Sequence, residues 1–427
     1  MRINLNVSIE IQGKQHLVGF IRGNTAEDAT FIYADEYLKI PDIKPISLSL
    51  PLQKEAFEPK QTRIFFEGLL PEGFSRRSVA NWLKTDEQDY VTILEKLGRE
   101  CLGAIQIYKD NTEKDEASYE LLSTEQVCAL AAEGATKSTE LLMETHLSLT
   151  GASGKVGLYF DSICGKWYLP KGKAASTHIV KQSHVRLQQI VLNEQLCMLT
   201  AKKIGIEVPD SFIINLGQGE EDKILYATKR YDRMIGSDKR IGDLCCPLRL
   251  HQEAFSQALG IPSSQKYEKN DTSYMKRMFQ LLNDYASNPI EDRIKLWNMI
   301  VFNYLIGNTD CHIKNFSLLY DANLKGIRLA PAYDIVCTSI YGLTDEMSFY
   351  IGGELHVSNM SRETFCKAAK NVGLGEKLAM KQYDYLKQNI ISCMEQAARE
   401  LYDAGFKEVL PIKEKICNLL KDKCLRD

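Results

Sequence analysis

Between Asn308 and Asp334 the chain reads NTDCHIKNFSLLYDANLKGIRLAPAYD, a short stretch with an unusual density of groups that can do chemistry. Asp310 is followed five positions later by Asn315, the D-x-x-x-x-N spacing in which an aspartate accepts the proton of an attacking hydroxyl and an asparagine binds a divalent cation during phosphoryl transfer. The apolar runs FSLLY and GIRLA flank the turn residues Asp321, Ala322 and Asn323, which predicts a β-hairpin. A hairpin returns the chain to its start and brings Asp334 back towards Asn315, where it can serve as a second oxygen ligand. Magnesium suits such a site, because it prefers a carboxylate or two together with phosphate oxygens and water. Any one of these residues alone would read as a turn former; three at this spacing favour a site.

Several elements must position these groups. The very apolar LWNMIVFNYLIG predicts a helix leading into the loop. Upstream, KWYLPKGKAASTHIVK predicts two strands joined by a Pro-Lys-Gly-Lys turn, with Lys181 at the end of a β-branched run. A strand-borne lysine can hold α/β-phosphates, although an isolated lysine at a strand end is more often exposed. On the helix that follows, Leu187, Ile190, Val191, Glu194 and Met198 share one face. Glu194 therefore sits in an apolar stripe and needs a partner or a proton; Lys181 is the natural candidate for an ion pair. Before these elements, THLSLTGASGKVGLYF puts Gly151, Gly154 and small hydroxyl residues between strand-like segments, so that backbone N–H groups could approach phosphate. It lacks the G-x-x-x-x-G-K-[ST] pattern and reads equally as a hairpin turn. ILYATKRYDR predicts a strand entering a linker, with Lys229 and Tyr231 placed where backbone groups could meet an adenine.

The whole chain sets the frame. Its 427 residues, 44% hydrophobic and 26% charged, describe a globular protein with room for a sizeable core. A formal charge of -3 argues against a protein that coats nucleic acid. No apolar run reaches a membrane span, the N-terminus alternates like a strand and lacks a signal-peptide core, and twelve cysteines show no disulfide framework. These features point to a cytoplasmic protein. Cys311 lies inside the loop, but no Cys/His cluster supports a zinc site.

In order, MRINLNVSIEIQ, HLVGFIRG, ATFIYADEYL and ISLSLPL predict strands, FFEGLLPEGFSRRSVANWL and VTILEKLG helices, and the polar DNTEKDEAS a boundary. RLHQEAFSQALG, SYMKRMFQLLNDYA and the last seventy residues predict helices. The expected domains are 1–110, β-rich with a helical tail; 119–230, carrying the phosphate loop and Lys181; and 231–427, helical, with the catalytic and metal-binding loops.

Together these residues resemble the HipA family, the serine/threonine-kinase toxins of bacterial type II toxin–antitoxin pairs. The resemblance rests on ISLSLP, FFEGLLPEG, SLTGASGK, THIVK, the NE pair at 193 and 194, RYDR, HQEAFSQALG, LIGNTDCHIKNFSL and LAPAYDI, and covers nearly the whole chain. It implies an α+β, two-lobed kinase-like fold and the use of ATP and Mg2+. It implies Asp310 as catalytic base, Asn315 and Asp334 as magnesium ligands, and Lys181 as the phosphate-binding lysine. Nucleotide contacts are implied for Thr150, Gly151, Ala152, Ser153, Gly154 and Lys155, for Lys229 and Tyr231, and for His312 and Lys314. Ser148 matches a serine that family members autophosphorylate, and a doubly negative group there would expel the loop from a site crowded with phosphates. Departures are Gly154 where glutamate is common, Ala254 where the family often has Asp, and Cys311.

The function expected is an ATP- and Mg-dependent protein kinase acting as a growth-inhibiting toxin. The resemblance implies an aminoacyl-tRNA synthetase or similar translation protein as substrate, a HipB-like helix-turn-helix antitoxin as partner, and DNA contact mainly through that antitoxin. The alternatives are a pseudokinase-like module that binds antitoxin and DNA, and a small-molecule phosphotransferase on the same fold.

Overall fold

The computed structural model describes residues 3–109, 116–133, 140, 154–183, 187–236 and 238–425. The chain divides into two compact units: Met1–Gln182, Ala227–Ser263 and Leu319–Ile327 form the first, and Ser183–Tyr226, Ser264–Leu318 and Arg328–Asp427 the second. Helices and sheets are mixed throughout, as an α+β reading requires.

The first unit starts with strands β1 (Ile3–Ile11), β2 (Lys14–Gly23) and β3 (Thr30–Tyr33), joined later by β4 (Ile105–Tyr108) in the order β3-β2-β1-β4. Alternating residues drive this sheet, and the buried Leu5, Val7 and Ile9 form its inner face. Against it pack helices Pro59–Glu67 and Tyr90–Leu97, with Phe31, Phe57 and Phe66 meeting in a ring cluster. Gly19 is required here: a Cβ would lie 2.1 Å from the Ile32 carbonyl oxygen on the paired strand.

The same unit contains β5 (Ser118–Leu121), β6 (Lys155–Asp161), β7 (Lys166–Lys171) and β8 (His178–Gln182), in the order β5-β7-β6-β8. The Pro-Lys-Gly-Lys turn between β7 and β8 has Gly172 at φ +60°. In the second unit the Ile190–Lys203 helix is followed by β9 (Ser211–Asn215) and the start of β10 (Ile224–Lys229).

Two expectations are corrected. ISLSLPL is not a strand. Ser47 and Leu50 form an isolated bridge closing a tight turn, because the Ser47 hydroxyl and the Leu48 N–H both donate to the Glu253 carboxylate, at 2.6 and 3.1 Å. RLHQEAFSQALG is helical only in its second half: the short strands Leu248–Arg249 and Gln252–Ala254 precede a helix of only four residues, Phe255–Ala258. Buried polar groups claim this segment, as the ion network below shows.

The second unit is mainly helical. The Pro289–Ile306 helix is started by Asn288, whose side chain accepts from the Glu291 N–H, and by Pro289 in the first turn. It ends at Gly307 in the left-handed conformation, φ +79°, where a Cβ would also press on Ser339. Helices Tyr274–Tyr285, Arg362–Asn371, Glu376–Asp403 and Val409–Leu425 complete the unit. Trp297, Tyr304, Phe365 and Tyr383 form its aromatic core, and the Trp297 indole donates to the Ala379 carbonyl at 3.0 Å. No described helix is long and apolar enough to cross a membrane.

Candidate active site

The loop after Gly307 is held by uncharged groups. The Asn303 amide, inside the helix, donates to the Met299 carbonyl at 2.8 Å, and its oxygen accepts from the Asn308 side chain at 2.7 Å. Asn308 in turn accepts the Asp310 N–H at 3.2 Å and donates to the Asp334 carbonyl at 3.4 Å. Thr309 bonds to the Thr338 hydroxyl through its N–H and its own hydroxyl, both at 2.7 Å, and its carbonyl accepts from the Ser348 hydroxyl at 2.7 Å. The Asp310 carbonyl accepts the His312 N–H at 2.8 Å and the Asn315 side-chain amide at 3.0 Å. The Asp310 backbone is thus fixed on both sides while its side chain is exposed.

The predicted hairpin forms from Ser317–Tyr320 and Ile327–Leu329. It returns the chain as expected: the Tyr333 hydroxyl lies 3.0 Å from the Lys314 carbonyl and 2.6 Å from the Ser317 hydroxyl. Asp334 follows with φ +59°, a left-handed conformation that costs a non-glycine residue about 1 kcal/mol or more and that Asp tolerates better than most. Asn193 fixes the segment beyond it, donating to the Cys337 carbonyl and accepting from its N–H, each at 3.0 Å. Lys314 and His312 are buried. Burial, reinforced by Asp310, pushes the Cys311 thiol far above its ordinary range, so this cysteine is an inert neighbour.

In the first unit Lys181 is only 9% exposed, so it is not a solvent-facing strand end. The β6–β8 register sets it directly opposite Lys155. Like charges opposed across a ladder repel. His178 on the same strand is neutral, its pKa lowered to about 4 by burial and then by Lys229. Lys229 is exposed at the end of β10, and the Tyr231 hydroxyl donates to the Gln252 side chain. Gly154 and Lys155 are described; Ser148, Thr150, Gly151, Ala152 and Ser153 lie outside the described residues. Glu194, in the second unit, is buried in a helix that starts only at Ile190 and is buried all round from Val191 to Met198, rather than on one face.

Residues 147–399 match the model of the HipA-like C-terminal domain, and residues 9–108 that of the HipA N-terminal domain. The chain belongs to the HipA family of kinases. It is 32% identical over 399 residues to "Putative kinase Y4mE" of Sinorhizobium fredii, covering 91% of this chain and 90% of the relative. It is 26% identical to the serine/threonine-protein kinase toxin HipA of Shewanella oneidensis, over 77% of this chain and 75% of that one. Its fold matches the Shewanella oneidensis HipA solved with HipB and operator DNA, with a TM-score of 0.80 at 20% identity over 98% of this chain and 97% of that chain.

Within this HipA fold, the RYDR segment has a role that the sequence did not reveal. Arg230, Arg233 and Arg249 are buried with Glu10, Glu100 and Asp232. Glu100 accepts from Arg230 at 3.1 Å, Arg233 at 2.8 Å and Arg249 at 2.6 Å. Asp232 takes Arg230 at 2.8 Å and the Gly103 N–H at 2.7 Å, and Glu10 accepts the Arg249 N–H at 2.9 Å. Burial alone would raise the Glu100 pKa, but the guanidiniums of Arg233, Arg249 and Arg230 outweigh it and hold the carboxyl far below its usual range. The network ties Glu10 and Glu100 of the HipA N-terminal domain to the segment around Tyr231. Asn303, Asn308, Thr309, Thr338 and Ser348 were also missed. The available signal was Asn303, which with Asn298 is one of two polar residues inside an apolar helical run.

The donor set fits a hard cation. The Asn315 amide nitrogen donates to the Asp310 carbonyl, which orients its oxygen as the acceptor, and Asp334 would add a carboxylate. Among the described residues no group of three or more His, Cys, Asp or Glu could form an all-protein cage. One carboxylate and one amide suit magnesium sharing its remaining positions with phosphate and water.

Proposed function

We propose that this HipA-family chain is an ATP- and Mg-dependent serine/threonine protein kinase acting as a growth-inhibiting toxin. The observation that carries the reading is Asp310: an exposed carboxylate whose N–H and carbonyl are both held by loop amides. Such a group can accept the proton of a serine or threonine hydroxyl as its oxygen attacks the γ-phosphorus of ATP and ADP leaves. Asn315 and Asp334 would hold magnesium, which supplies charge neutralisation on the transferring phosphoryl group. Lys181, supported by Lys155, would bind phosphate oxygens, with Glu194 as its ion-pair partner. Thr150 to Lys155 would cover the phosphates, and Lys229 and Tyr231 would contribute nucleotide contacts, as would His312 and Lys314. Ser148 would be the autophosphorylated serine.

The Shewanella relative solved with HipB and operator DNA supports a HipB-like helix-turn-helix antitoxin as partner, with DNA reached mainly through it. The substrate proposed is a translation protein such as an aminoacyl-tRNA synthetase. The test is incubation of wild type and Asp310→Asn with labelled ATP and magnesium, followed by phosphosite mapping. Label on Ser148 in wild type, reduced roughly 10²- to 10⁴-fold in the variant, is the expected result. Full transfer by Asp310→Asn would remove Asp310 as base.

A further inference from the structure

The side chain of Asp310 has a partner that the family reading does not use. The Tyr267 hydroxyl lies 2.6 Å from Asp310 Oδ1. A phenol with an ordinary pKa near 10 is protonated at neutral pH, so the tyrosine donates and the carboxylate accepts. The Tyr267 ring also packs edge-on against His312 of the same loop, with centroids 5.3 Å apart at 80°. The tyrosine is 45% exposed, so burial of the ring does not account for its place.

The backbone that presents Tyr267 is firmly anchored. The next residue, Glu268, is 4% exposed, and its carboxylate accepts the N–H groups of Thr272 at 2.7 Å, Tyr274 at 3.0 Å and Tyr350 at 2.9 Å. The Glu268 N–H donates to the Ser348 carbonyl at 2.9 Å, and the Ser348 hydroxyl donates to the Thr309 carbonyl at 2.7 Å. Ser348 therefore holds both the Tyr267 segment and the loop that carries Asp310. This is the construction expected of a fixed support rather than of a mobile plug, because a side chain carried on a locked backbone meets its partner at a set distance.

We propose that Tyr267 is a positioning residue of the catalytic base, fixing the Asp310 carboxylate through Oδ1 in the orientation from which it receives the proton of the acceptor hydroxyl. The inference rests on Asp310 serving as base. An unconstrained aspartate rotates its carboxylate, and only part of its population faces the acceptor; a donor on one oxygen selects the productive orientation. Other titratable groups lie in or beside the same loop, among them the buried Lys314. Cys311 is held protonated by burial, His312 packs on the tyrosine ring, and Lys266 lies over that ring at 5.2 Å from its centroid.

The experiment compares phosphatase-treated wild type, Tyr267→Phe and Asp310→Asn, with labelled ATP, magnesium and casein as acceptor protein, reading transfer to casein and to the chain itself across pH. Tyr267→Phe keeps the ring on His312 and loses only the hydroxyl, so its unfolding midpoint should match wild type. The expected result is a roughly tenfold fall in kcat with KM for ATP unchanged. The acid limb of the rate profile should also move to higher pH, since a carboxylate deprived of a donor takes up a proton more readily. Tyr267→Gln, which can still donate, should recover part of the rate. Unchanged kcat and pH profile in Tyr267→Phe, with Asp310→Asn inactive, would overturn this inference and leave the base assignment standing. A faster Tyr267→Phe would also overturn it, by showing that the phenol occupies the acceptor's place. Full activity in Asp310→Asn, or no transfer by wild type, would instead remove the base assignment and this inference with it.

Discussion

In the first unit, Arg230, Arg233 and Arg249 are buried against Glu10, Glu100 and Asp232, three cations against three anions. In the second, the loop from Asn308 to Asn315 is fixed by Asn303, Asn308, Thr338 and Ser348, all uncharged, and Asp310 faces solvent. The difference follows from what each region must present. The first holds the segments around Glu10, Glu100 and Tyr231 in register, and its charges are consumed by one another. In the second, on the reading proposed above, a carboxylate is offered to a reacting hydroxyl, and a scaffold of amides and hydroxyls sets the backbone that carries it. A buried network of matched charge fixes geometry but is weak evidence of net stability, because desolvation offsets much of the attraction.

The sharpest way to break this comparison is to unbalance the first region. Glu100→Ala leaves three guanidiniums facing two carboxylates in a buried site. The expected loss is about 3 to 5 kcal/mol, read as a fall in the urea unfolding midpoint. A loss below about 1 kcal/mol would mean that water or side-chain rearrangement replaces the carboxylate, and the network would not be the fastening described here.

A smaller effect separates charge from hydrogen bonding in the same unit. Glu253 is buried, and it accepts from the Ser47 hydroxyl, the Tyr320 hydroxyl and the Leu48 N–H. With no cation to offset burial, its pKa is raised from the ordinary 4.5 to about 7. The unfolded chain therefore ionises this group first. Its contribution to stability is fully present below about pH 4.5 and is lost as pH rises to about 7. Glu253→Gln keeps the shape and most of the hydrogen bonds but cannot ionise. The stability of the variant relative to wild type should rise by about 1 to 3 kcal/mol across that window, measured as unfolding midpoints at several pH values. A pH-independent difference would place the ionisation elsewhere. The contrast with Glu100 isolates the role of the arginines, since both carboxyls are buried and their pKa values move in opposite directions.

Much of this arrangement was legible in the sequence, for identifiable reasons. Strands β1 to β3, the hairpin around Asp321 to Asn323 and the Pro289–Ile306 helix carry strong local periodicity and clear turn residues, so they could be placed without tertiary information. The spacing of Asp310, Asn315 and Asp334 along the loop and hairpin stood out because chemistry of this kind constrains spacing. ISLSLPL and RLHQEAFSQALG were misread because local alternation and helical propensity lost to buried polar partners more than a hundred residues away: Glu253 for Ser47, and Glu100 for Arg249. Tyr267 gave no signal either, since a single tyrosine in a polar loop looks like any exposed aromatic until the fold sets it beside Asp310.

The finest test lies in the second region, at the end of the helix that leads into the Asp310 loop. Lys423, from the Val409–Leu425 helix, is 6% exposed. Its ammonium donates to the Tyr304 and Leu305 carbonyls and lies 4.8 Å from the centroid of the Tyr304 ring. These carbonyls belong to the last turn of Pro289–Ile306, where acceptors lack helical partners and the helix carries partial negative charge. Here a buried cation acts on the end of the helix that leads into the loop. Lys423→Met keeps the length and apolar stem while removing the donor and the charge. We expect a loss of about 1 to 2 kcal/mol in unfolding, and a fall in kcat smaller than that of Tyr267→Phe, with KM for ATP unchanged. A large loss of activity at unchanged stability would show that charge, and not only neutral hydrogen bonding, sets the loop, and the distinction between the two regions would need redrawing.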